Sequence, residues 1–68
     1  MFIQSVRFAR PAWTPAMALN WLQSHDMKII KDIDVTRNWL RCRLQPPKKG
    51  AQYVTKKIAG GVEIVLVV

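Results

Sequence analysis

Acids are scarce in this sequence: Asp26, Asp32, Asp34 and Glu63 are all it has, and none lies between Val35 and Val62. A single cysteine, Cys42, excludes an internal disulfide and with it the cross-linked scaffold of small secreted proteins. One histidine, His25, and four scattered acids supply no ligand pair at a metal-binding spacing. The longest apolar run is IVLVV at 64–68, far short of the roughly 20 residues that a spanning helix needs. The opening MFIQSVRFAR lacks the apolar core of a secretion signal. Gly60-Gly61 stands without a GxGxxG or GxxxxGK pattern and reads as a turn rather than a phosphate loop. A soluble, non-secreted protein without a transmembrane segment or membrane partner is expected.

What is present is hydrophobic and basic. The 68 residues leave room for one domain only, 1–68, and half of them are hydrophobic. That is generous for so short a chain: either the core is well filled, or some apolar surface is meant for a partner. Eleven Lys and Arg against four acids give a net charge of +7. The acid-free stretch holds Arg37, Arg41, Arg43, Lys48, Lys49, Lys56 and Lys57. Surfaces ordinarily mix the two signs. A block of one sign draws nucleic acid, an anionic membrane or an acidic protein, unless it serves only solubility.

Hydrophobic spacing predicts the elements. Residues 2–9 alternate, with Phe2, Gln4, Val6 and Phe8 on one side and Ile3, Ser5, Arg7 and Ala9 on the other, and Arg10-Pro11 ends the strand. Thr14 suits an N-cap and Pro15 the first helical position. Met17, Ala18, Trp21 and Leu22, with His25 in line, make one apolar helical stripe. MKIIKDIDV reads as a strand with Ile29, Ile33 and Val35 on one face, and a bulge near Ile30 relieves the awkward Lys31. Thr36-Arg37-Asn38 turns the chain into a strand with Leu40, Cys42 and Leu44 inward and Trp39, Arg41, Arg43 and Gln45 outward. Pro46-Pro47 stops it. QYVTKKI is a weaker strand and VEIVLVV the strongest. The expected class is α+β, two layers, with one helix on a largely antiparallel sheet of four or five strands in the order β-α-β-β-(β)-β. The uncovered sheet face would carry Ile3, Val65 and Val67, with Ile30 and Trp39 in addition, and would be an interface.

No residue set supports catalysis. A thiol–imidazole pair would need Cys42 exposed beside His25, yet Cys42 lies at an inward strand position between leucines and His25 closes a helix. Asp32 and Asp34 alone make neither a divalent site nor a glycosidase pair. No enzyme, metal or cofactor is expected. Arg41 and Arg43, two apart on a strand, project from one face roughly 7 Å apart, near the spacing of successive phosphates. Trp39 shares that face as a stacking platform, and Arg37, Lys48, Lys49, Lys56 and Lys57 would extend the track. The plain alternative is a Trp39 packed under arginine stems on a solvated edge.

The pattern W-T-P-x-x-A-x-x-W-L-x-x-H, then D-x-T-x-N-x-L-R-x-R-x-x-P-P, then Y-x-T-K-K-I-x-x-G-V, covers 13–25, 34–47 and 53–62. It resembles a small domain of tailed-bacteriophage and large-DNA-virus proteins, found alone or attached to head and head-maturation proteins. The resemblance implies a viral accessory protein, virion-associated or in the host cytoplasm, and carries over no catalytic residue. Two functions follow as expectations. One is polyanion binding, nucleic acid foremost and with little sequence specificity, through the basic strand and loop. The other is a protein–protein module, a capsid-associated protein or an inhibitor of a host factor, docking through Ile3, Val65 and Val67, with homo-oligomers included.

Overall fold

Alternation in FIQSVRFA produces the middle strand of the molecule, β1 (Phe2–Ala9), whose Val6 and Phe8 are fully buried. The computed structural model describes residues 2–58 and 60–68. After β1 come the helix α1 (Pro15–Ser24), then β2 (Asp34–Val35), β3 (Trp39–Arg43), β4 (Tyr53–Ile58) and β5 (Val62–Val67). The strands form one sheet in the order β2-β3-β1-β5-β4, and every neighbouring pair is antiparallel. This is the expected α+β arrangement of one helix on one sheet.

The helix starts where its caps dictate. The Thr14 hydroxyl accepts from the Met17 N–H at 3.3 Å, and Pro15 occupies the first turn, where no amide hydrogen is needed. Ala18 and Leu22 are buried, Trp21 is half-buried, and the Trp21 ring meets Phe8 edge-on at 5.6 Å. Met17 does not belong to the stripe as expected: it is 45% exposed, because the buried arc centres on 18 and 22. His25, at the C-cap, stacks on Trp21 at 3.9 Å. Val6, Phe8, Ala18, Leu22, Leu40, Cys42 and Val62 form the core. Each large apolar side chain there contributes about 1.5–3 kcal/mol by burial.

Three departures from the sequence reading matter for function. The β1–β5 register shifts between Ile3 and Ser5. The bulge moves Ile3 to the helix side, where it packs against the core, so Ile3 does not share a face with Val65 as expected. Gln4 is buried at the bulge; its side-chain amide donates to the Gln45 carbonyl (3.0 Å), and its own carbonyl accepts from the Leu44 and Gln45 amides. Next, the strand expected over 27–35 is reduced to β2. Ile30 N–H donates to the Arg43 carbonyl (2.9 Å), where an unbroken ladder would place Asp32, so the irregularity is longer than one bulge. Ile29 and Ile33 still pack on the core, whereas Val35 and Ile30 are exposed. Finally, every residue of β4 is exposed, as are both residues of β2, so the core lies under the three central strands β3, β1 and β5.

The β4–β5 turn depends on glycine at one position above all. Gly61 has φ +80°, and a Cβ there would stand 3.2 Å from the Ala9 Cβ. Trp13 holds the turn from the side, its indole N–H donating to the Gly60 carbonyl at 2.7 Å.

Candidate nucleic-acid interface

Pleating sends Trp39, Arg41 and Arg43 to the face opposite the helix, while Leu40 and Cys42 are buried. The register then adds partners that a local reading misses. Arg41 stands opposite Arg7 on β1, Arg7 opposite Glu63 on β5, Glu63 opposite Lys57 on β4, and Arg41 also opposite Asp34 on β2. The result is one charged row across the whole sheet: Asp34, Arg41, Arg7, Glu63, Lys57. Below it runs a second row of Arg43, Ser5, Val65 and Thr55. Like charges directly opposite, as Arg7 and Arg41 are, destabilise a sheet unless compensated. The acids compensate them: Arg7 Nη1 donates to Glu63 at 3.2 Å, and Arg41 lies 3.8 Å from Asp34.

The two ion pairs differ in kind. Arg7 and Glu63 are largely shielded, with side chains 29% and 11% exposed. Arg41 and Asp34 are more than half exposed, and such a pair is worth little in water. Arg43 makes no ion pair among the described residues. The Arg7 guanidinium lies 4.2 Å from the centroid of the Trp39 ring, and its Nε is buried without a hydrogen-bond partner. The arginine stacked on Trp39 is therefore Arg7, and one face of the indole is already occupied. Arg7 was absent from the expected set because nothing local connects it to residue 41. Its signal was its place among the outward residues of β1.

These rows line a concavity of about 710 Å³, to which Ser5, Arg7, Trp39, Arg41, Arg43 and Tyr53 contribute. Tyr53, also missed, is 42% exposed there. Its hydroxyl accepts from the Lys48 N–H (3.0 Å) and donates to the Lys48 carbonyl (3.3 Å), which ties the lysine loop to the rim. Arg37 sits in the β2–β3 turn, which is closed by Thr36 N–H donating to the Trp39 carbonyl. Lys49 is exposed in the loop. Lys57 belongs to the charged row, but Lys56, opposite Ile64, projects from the other face and away from the arginines. Lys31, Asp32 and Asp34 also line the concavity, so its charge is mixed, with cations in excess.

The expected apolar interface is not a patch. Val65 is half-buried on the basic face, Val67 is only 5% exposed, and Ile3 lies on the core side. Cys42 is buried and His25 exposed at the helix end, its Nδ1–H donating to the Trp21 carbonyl. Among the described residues no cluster of His, Cys, Asp and Glu could hold a metal ion, and no helix is long and apolar enough to cross a membrane. Compared with known families, curated proteins and solved structures, the chain matches none.

Proposed function

We propose that the chain is a non-enzymatic binding module that grips a polyanion, nucleic acid, on the concave sheet face. The observation that carries the reading is the convergence of Arg7, Arg41 and Arg43 with Trp39 and Tyr53 on one hollow surface. Guanidinium groups contact phosphates irrespective of sequence. Tyr53, exposed in the hollow, and Trp39, which lines it, are the stacking surfaces for unpaired bases. Arg41 exchanges its exposed, long contact with Asp34 for a phosphate at little loss. Arg43 has no paired acid to exchange among the described residues. A virion-associated accessory role in a phage or large DNA virus rests on the resemblance of 13–25, 34–47 and 53–62 alone, and the comparisons add nothing to it.

The test is fluorescence anisotropy with an oligothymidylate of about 16 nucleotides and a duplex of matched length, titrated between about 50 and 200 mM salt. Three phosphate contacts on a single strand give a log–log slope of about −2. Binding tighter to the single strand, with that slope, supports the reading. Absence of binding at the lowest salt, or an affinity indifferent to salt, refutes it.

A further inference from the structure

β4 (Tyr53–Ile58) is a border strand six residues long with all six exposed. Such edges present unpaired backbone groups and are templates for further pairing. The other border, β2, has two residues and offers no such template. The Val68 N–H donates to the Gln52 carbonyl at 3.0 Å, which sets the phase of the β4–β5 ladder. In that phase Val54, Lys56 and Ile58 turn their backbone groups toward β5, while Tyr53, Thr55 and Lys57 turn theirs outward. On the helix side Val54 and Ile58 stay 43% and 41% exposed, beside half-buried Leu66 and Ile64. A strand built only to repel neighbours would not keep this apolar strip.

Charge selects the occupant. No acid lies between Val35 and Val62, and the strand carries Lys56 and Lys57 on opposite faces. A second copy of β4 is disfavoured. Two-fold pairing centred on Lys56 sets two lysines against each other, and pairing centred on Thr55 gathers four at the seam. We propose that β4 is the acceptor edge for an extended acidic segment of a partner protein, which adds to the sheet as a sixth strand. Its backbone pairs with Tyr53, Thr55 and Lys57. Two consecutive acids meet Lys57 and Lys56 on the two faces, and apolar residues on either side lie on Ile58 and Val54. The edge ends both rows at Lys57 and Thr55 and borders the hollow at Tyr53, but strand addition uses its outward backbone groups and does not depend on Arg7, Arg41 or Arg43.

The probe is a synthetic peptide, Thr-Val-Glu-Glu-Thr-Val-Thr, added to the isotope-labelled full chain while amide exchange is followed by NMR. Exchange is expected to slow at Tyr53, Thr55 and Lys57. Replacing Lys56→Gln and Lys57→Gln together weakens binding about fivefold, as two exposed ion pairs allow. N-methylation of the peptide at alternate residues abolishes binding, and Thr55→Pro, which removes an outward N–H only, does the same. If Thr55→Pro fails to fold, the lysine pair and the methylated peptide decide. The proposal is overturned by equal binding of a Lys-for-Glu peptide, by undiminished binding of the N-methylated one, or by shifts confined to Arg41 and Arg43. It is also overturned by slowing that appears without peptide and grows with protein concentration, or by no slowing at millimolar peptide.

Discussion

Glu63→Gln should move stability and polyanion affinity in opposite directions. Glu63 is 9% exposed and accepts from Arg7 at 3.2 Å, while Arg7 also stacks on Trp39 and faces Arg41 across the ladder. The amide keeps the shape and still accepts a hydrogen bond, but it removes the charge that compensates two opposed arginines. A charge-assisted bond contributes about 1.5–3 kcal/mol and a neutral one about 1, so the substitution destabilises by about 0.5–2 kcal/mol. In a small domain of a few kcal/mol total stability that is a large fraction. The same change leaves the concave face one positive charge richer. One more phosphate contact steepens the salt slope by about 0.7–0.9, so affinity for single strands rises about threefold at the low end of a fourfold salt range. Urea melts give the first quantity and anisotropy at several salt concentrations the second. An unchanged urea midpoint together with an unchanged slope would refute the role assigned to this pair.

Other outcomes follow from the same geometry. Leu22→Ala should cost about 2–5 kcal/mol, read by urea melts, because Leu22 is buried against Phe8 and its neighbours in the core. Trp21→Ala should cost less than a fully buried tryptophan would, since Trp21 is half-buried. Gly61→Ala should lower Tm more than Gly60→Ala: both have positive φ, but only at Gly61 does a Cβ press on Ala9. Burial pushes the Cys42 thiol up from 9.0 to about 11. The folded state therefore holds its proton more tightly than the unfolded one. That contribution is complete below pH 9 and is lost between about pH 9 and 11, by about 1.4 kcal/mol per pH unit. Cys42→Ala should flatten this alkaline loss, and native Cys42 should react with an alkylating reagent only as fast as the domain opens.

Much of the fold was legible because period and punctuation agreed. Thr14-Pro15 opens the helix, and alternation around Leu40 and Cys42 separates inside from outside on β3. Two features were not legible, for a physical reason. The bulge at Gln4 carries no Gly or Pro; its only trace is a polar residue at an inward position, and it reverses the side on which Ile3 lies. The segment 27–33 is rich in isoleucine, yet one bond to Arg43 and packing on the core replace a ladder there. The basic site was half legible. Trp39, Arg41 and Arg43 share a face by pleating alone, a local property. Arg7, Glu63 and Lys57 join them only because β1 lies between β3 and β5, and strand order is set by long-range packing. Local spacing also could not show that Lys56 leaves the track while Lys57 stays on it.

The arginines of β3 are central to polyanion binding, and one measurement addresses them. Arg41→Gln with Arg43→Gln leaves the core untouched, as Arg41 is exposed and Arg43 half-buried on the open face. Affinity for oligothymidylate should be titrated against salt for this variant, the parent and Val65→Ser side by side. The double arginine variant should bind more weakly and with a slope flatter by about 1.4, two single-strand phosphate contacts, at an unchanged urea midpoint, while Val65→Ser binds as the parent does. An unchanged slope in the folded double variant would contradict this, and those arginines would then be only the solvated side of a strand.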